Sequence, residues 1–84
     1  MANLHETFET LQKVLENKFE VAKELIRPES TLVELGLDSL TLMEFIFEAE
    51  DTFHLRIPED NLNSDLSKVS LKEVCLSIIK IQSN

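Results

Sequence analysis

Residues 32–45 read LVELGLDSLTLMEF, and the order of residue types in this stretch decides the fold. Gly36 is the chain's only glycine, so the turn it marks is singular. Two residues later Asp38 offers a favourable helix N-cap, because its carboxylate can accept from an amide of the first turn. Leu42, Phe45, Ile46, Ala49 and Phe53 then recur at helical rather than alternating spacing. The pattern predicts a helix from the Asp38 cap to about Phe53, with Ile57-Pro58 as the next break. Ser39 stands at the mouth of that helix, a hydroxyl opening an apolar segment with no evident partner to activate it.

Working outward, the same spacing recurs on both sides. Leu4, Phe8, Leu11, Leu15 and Phe19 predict a first helix from about Asn3 to Lys18 with one buried stripe. A long connection follows, in which Val21, Leu25, Ile26, Leu32 and Leu35 are expected to pin the loop to the core around the interruption at Arg27-Pro28. Leu62 and Leu66 suggest a short helix or turn. Ser70-Leu71-Lys72-Glu73 is a capping box opening a last helix, whose buried stripe is Leu71, Val74, Cys75 and Ile78. The predicted fold class is all-α, a small bundle of three longer helices and one short one, with residues 1–84 as a single domain. No internal repeat or low-complexity linker interrupts it.

Composition narrows the function. A chain of 84 residues supports one small core. With 8 basic and 16 acidic residues the formal net charge is −8, which repels phosphate backbones and anionic headgroups and suits partners with basic surfaces. Nucleic acid is excluded as a ligand on that ground. Cys75 is the single cysteine and cannot form an internal disulfide, and MANLHETFET lacks the cationic start and apolar run of a secretory signal. No stretch approaches the roughly 18 apolar residues of a membrane span. The expectation is a monomeric cytoplasmic protein.

The central helix carries more than a core face. At about 100° per residue, Leu40 and Phe47 fall opposite the core stripe, in the sector of Glu44 and Asp51, with Glu48 and Glu50 at its borders. Large apolar side chains framed by carboxylates suit transient docking on basic partners, with charge steering the approach and the hydrophobe anchoring it. An acidic helical adaptor with no prosthetic group would need nothing further.

A serine nucleophile needs a base within hydrogen-bond reach and a group to orient it. The histidines are His5 and His54, far from Ser39 in sequence on either side. Gly36-Leu37-Asp38-Ser39-Leu40 lacks the final glycine of a nucleophile elbow. Two histidines and one cysteine at unrelated positions make no zinc set, and DNLNSDLSK lacks the glycine and terminal glutamate of a calcium loop. Neither an enzyme nor a metal site is predicted.

Taken together, the Gly-x-Asp-Ser-Leu motif at Gly36 to Leu40, Glu44 one turn on, Glu50-Asp51 near the helix end, and Phe53 followed by Ile57-Pro58 resemble the acyl carrier protein family. The match is best from Leu32 to Leu62 and extends over most of the chain. The resemblance implies a non-catalytic carrier in which Ser39 bears a 4′-phosphopantetheine arm, attached from coenzyme A by a separate phosphopantetheinyl transferase, whose thiol holds acyl groups as thioesters. It also implies that Asp38 assists the transferase, and that Leu40, Glu44, Phe47, Glu48, Glu50 and Asp51 face the transferase and the acyl-loading and elongating enzymes. On that view Ser39 needs no neighbouring base, since the activating chemistry lies in another protein. Thr41 stands where many fatty-acid carriers have an acidic residue, Arg56 adds a positive charge past the helix, and NLNSDLSKVS is only loosely matched. Fatty-acid, polyketide and related specialised acyl synthesis are all consistent with these features.

Overall fold

A computed structural model describes residues 3–57 and 68–83. Among them are three α-helices, α1 (Leu4–Lys18), α2 (Ser39–Phe53) and α3 (Leu71–Gln82), and one 3-10 turn (Lys23–Leu25). The described residues contain no named strand. The all-α expectation holds, whereas the short helix expected around Leu62 and Leu66, and Pro58 itself, lie outside the described residues.

Each helix starts on a side-chain cap. Asn3 Oδ1 accepts from the Glu6 amide at 2.8 Å, Asp38 Oδ1 from Thr41 at 2.9 Å, and Ser70 Oγ from Glu73 at 3.2 Å, the serine half of the capping box. Helices α1 and α2 end on left-handed residues that are not glycine. Glu20 (φ 54°) turns the chain after α1, where the Val21 amide returns to the Leu15 carbonyl. His54 (φ 56°) closes α2, with the Leu55 amide bonded to the Glu50 carbonyl, a Schellman ending.

The buried stripe of α1 runs through Thr7, Leu11 and Leu15. This corrects the expected line through Leu4, which is 37% exposed because the first turn overhangs the core edge. Phe8, Val14 and Phe19 pack partly buried beside that line. The Thr7 hydroxyl is buried without a hydrogen-bond partner among the described residues, a local cost of about 1–3 kcal/mol that the surrounding packing offsets. From α2 come Leu42, Phe45, Ile46 and Ala49, and from α3 Leu71, Val74, Cys75, Ser77 and Ile78. The Phe19 ring meets Phe45 edge-on at 6.0 Å between centroids, a favourable quadrupole geometry.

The connection between α1 and α2 is held as predicted by Val21, Ile26, Leu32 and Leu35, all buried, but Leu25 projects outward from the 3-10 turn. Main-chain bonds clasp this loop to the start of α3. Leu32 donates to the Val69 carbonyl, Leu71 to Ser30 and Lys72 to Pro28, the last at 2.8 Å. Two amides of the first turn of α3, which no intrahelical carbonyl can reach, are thereby satisfied by the loop that leads to Ser39.

Candidate functional site

The approach to Ser39 is built by a one-turn unit that opens with its own capping box. Glu34 Oε1 accepts from the Thr31 amide at 2.8 Å, and Thr31 Oγ1 accepts from the Glu34 amide at 3.3 Å. The Thr31 amide, and then the Thr31 hydroxyl donating to the same Oε1 at 3.1 Å, hold the Glu34 carboxyl below its usual range. The unit closes at Gly36 (φ 85°), where the Gly36 amide reaches the Val33 carbonyl and the Leu37 amide reaches Leu32. This is a second Schellman ending, with buried Leu32 and Leu37 as the apolar pair that accompanies it. An L-residue at a left-handed position carries a steric penalty that glycine avoids, which accounts for a glycine here.

With Leu37 anchored in the core, Asp38 and Ser39 are delivered to the surface. Ser39 is the first residue of α2, it is exposed, and no hydrogen bond holds its hydroxyl among the described residues. Asp38 Oδ1 receives both the Thr41 amide at 2.9 Å and the Thr41 hydroxyl at 2.8 Å. The Thr41 amide, then the Thr41 hydroxyl and more weakly the Leu40 amide, hold the Asp38 carboxyl below its ordinary value. A carboxylate thus already occupies the positive end of α2, and the Thr41 amide is not free to receive a phosphate. Thr41 was not among the candidate residues, although Asp followed three residues later by Thr at a helix start is a readable capping pattern.

The outward face of α2 lies where helical spacing put it. Leu40 is 71% and Phe47 58% exposed, and Glu44 and Asp51 are exposed beside them. Glu48 and Glu50 are half-buried and already engaged within the chain. Glu48 Oε2 pairs with Lys18 Nζ on α1 at 2.7 Å, and Glu50 Oε2 accepts from the Ile57 amide at 2.7 Å. Past Phe47 the surface falls into an open groove of about 430 Å³, lined also by Glu50, Asp51, His54, Leu55 and Arg56. The positive charge of Arg56 therefore belongs to the rim of the same face. No group of three or more His, Cys, Asp or Glu able to hold a metal occurs among the described residues.

An exposed, untied serine hydroxyl at a helix start is sterically suited to a bulky phosphodiester substituent, and the Asp38 carboxylate would sit beside it. A family profile described as the phosphopantetheine attachment site matches residues 9–75, a span that includes Ser39. The acyl carrier protein of Campylobacter hominis is 31% identical over 81 residues, covering 94% of this chain and 98% of its own. That of Nitratidesulfovibrio vulgaris is 33% identical over 73 residues, covering 86% and 91%. The acyl carrier protein AcpXL of Rhizobium meliloti is 29% identical over 86 residues, covering 92% and 90%. With a profile match over most of its length and full-length relatives of this kind, the chain belongs to the phosphopantetheine-dependent acyl carrier proteins, which are carriers and not enzymes.

Proposed function

We propose that residues 1–84 act as one carrier domain and that Ser39 takes the 4′-phosphopantetheine arm, whose thiol then holds acyl groups as thioesters for fatty-acid, polyketide or related specialised acyl synthesis. The observation that carries this reading is the exposed, untied Ser39 hydroxyl, placed on the first turn of α2 by the Gly36 turn and flanked by the ionised Asp38.

In the loading step the Ser39 oxygen forms a bond to the phosphorus that bears the pantetheine arm of coenzyme A. The bond from that phosphorus to the bridging pyrophosphate oxygen breaks, and 3′-phosphoadenosine 5′-phosphate leaves with that oxygen. The serine proton passes to a base of the transferase. This chain supplies the nucleophilic oxygen and a fixed neighbouring carboxylate. When attached, the arm supplies a mobile thiol for thioester chemistry.

The partners that suit the outward face of α2 are a phosphopantetheinyl transferase and acyl-loading and elongating enzymes with basic docking surfaces. Leu40 and Phe47 would supply apolar anchors, and Glu44 and Asp51 the steering charge. The carrier is proposed to work as a monomer in the cytoplasm; no helix among the described residues is long and apolar enough to cross a membrane.

Intact mass after incubation with coenzyme A, magnesium and a broad-specificity transferase tests the assignment. Wild type should gain one phosphopantetheine and Ser39→Ala none, with helical content unchanged. Modification of the alanine variant would move the site elsewhere, and an unmodified wild type would return the acidic adaptor as the better reading.

A further inference from the structure

The geometry points to Thr41 as a positioning residue for arm attachment, acting by fixing the Asp38 carboxylate beside Ser39. This deepens the reading of Ser39 as the attachment site and rests on it. Thr41 sends two donors to a single carboxylate oxygen. Its amide lies 2.9 Å and its hydroxyl 2.8 Å from Asp38 Oδ1. An N-cap needs only the amide bond, so the hydroxyl bond is additional to what starting the helix requires.

That second donor has a geometric consequence. A carboxylate held by one amide can exchange its two oxygens by rotating about its terminal bond, because either oxygen can accept. With both donors of Thr41 converging on Oδ1, the exchange breaks two charge-assisted bonds at once. Oδ1 is therefore the inward oxygen, and Oδ2 is left with its acceptor capacity on an exposed side chain. The residue carrying that oxygen is the immediate neighbour of Ser39. The carboxyl is held below its ordinary range chiefly by the same two bonds, so Oδ2 is an acceptor only, suited to a cationic or hydrogen-bond-donating group of the enzyme that delivers the arm.

Attack of the Ser39 oxygen on phosphorus requires the hydroxyl to sit within reach of the phosphate and the transferase base. A neighbouring carboxylate of fixed orientation gives the transferase a second point of attachment for aligning it. A valine at position 41 would keep the β-branched shape and the amide cap and would remove only the hydroxyl. A serine would restore the hydroxyl.

The test compares initial rates of arm attachment, read by intact mass with coenzyme A, magnesium and a broad-specificity transferase, for wild type, Thr41→Val, Thr41→Ser, Asp38→Asn and Asp38→Asn/Thr41→Val. All are assayed at a temperature where circular dichroism shows each variant folded. Thr41→Val should lower kcat roughly three- to tenfold, as expected for the net contribution of one lost hydrogen bond, with KM for the carrier little changed. Thr41→Ser should recover the rate, and adding Thr41→Val to Asp38→Asn should have almost no further effect. A wild-type rate in Thr41→Val, failure of serine to rescue, or an equal loss in the Asp38→Asn background would overturn the inference while leaving Ser39 in place. A fall in rate that follows a fall in folded fraction would reduce Thr41 to a helix cap. An unmodified wild type would remove the Ser39 reading and this inference with it.

Discussion

The Lys18 ammonium, at the last residue of α1, lies 2.7 Å from the Glu48 carboxylate of α2. The hydrogen bond to Glu48, and then its charge, raise the Lys18 pKa above its ordinary value. One of the carboxylates of the proposed docking face therefore has a positive charge beside it, and the net field it would present to a basic partner is reduced.

Removing that charge should strengthen docking. Lys18→Gln is expected to raise the association rate with a basic transferase by up to roughly fivefold at low salt, the factor given by one unscreened charge contact in water. The gain should shrink as the Debye length falls from about 10 Å at 0.1 M to about 3 Å at 1 M salt, and Lys18→Gln/Glu48→Gln should return to the wild-type rate. Stopped-flow association over a salt series decides it. An unchanged rate in Lys18→Gln would place Glu48 outside the docking face.

Glu50 has a structural duty as well. Its Oε2 accepts from the Ile57 amide at 2.7 Å, and Ile57 is buried against the core, so the carboxylate fixes the chain where it leaves α2. Glu50→Ala should destabilise the fold by about 1–2 kcal/mol, lowering Tm by roughly 4–8 °C per kcal/mol for a domain of this size. Glu44→Ala and Asp51→Ala, on exposed positions with no such bond, should leave Tm nearly unchanged. Equal melting of all three would mean that the Ile57 bond adds nothing, and thermal denaturation is the direct measurement.

These two contacts mark where sequence reasoning runs out. Helix boundaries were legible because caps and apolar spacing are local: α2 runs from Ser39 to Phe53 on its Asp38 cap, as the spacing predicted. The outward placement of Leu40 and Phe47 was legible for the same reason. Lys18 and Glu48 are 30 residues apart and meet only because α1 and α2 pack together, so no pattern announces them. Glu50 reaches seven residues ahead, around a left-handed His54, to bond Ile57. The unit before Ser39 is a different case: Thr31-Leu-Val-Glu34 followed by Gly36 carries a capping box and a C-terminal glycine in plain view, but one turn is too short to show periodicity.

Gly36 gives that unit its testable feature. Its φ is 85°, yet a Cβ there would meet nothing within 4 Å, so the penalty for a side chain is confined to the backbone. Gly36→Ala should cost about 1–2 kcal/mol, and Gly36→Asn less, since asparagine enters the left-handed region more readily. Denaturant unfolding of the three proteins would show the order Gly, Asn, Ala. An alanine variant as stable as wild type would mean that the turn relaxes to a negative φ, and that Gly36 does not set the exit toward Ser39.

Cys75 allows the arm to be counted in the native protein. The thiol is fully buried in α3, and burial pushes its pKa up from 9.0 to about 12. Thiolate is the reactive form, and neither it nor access to the sulfur is available in the folded chain near neutral pH. The apo protein should therefore resist iodoacetamide until unfolded in denaturant, when one thiol should react. The same shift gives a pH dependence. The folded state favours the protonated thiol, so its advantage is complete below the unfolded pKa near 9 and is lost as pH rises toward 12, and wild type should lose stability across that window relative to Cys75→Ala. The arm's own thiol is free of this burial, and the loaded protein should take up one alkyl group per chain under native conditions, a signal absent from Ser39→Ala treated with the same transferase. Alkylation of native apo protein at the rate of a free cysteine would show that α3 opens readily, and would overturn the assignment of Cys75 as an inert core residue.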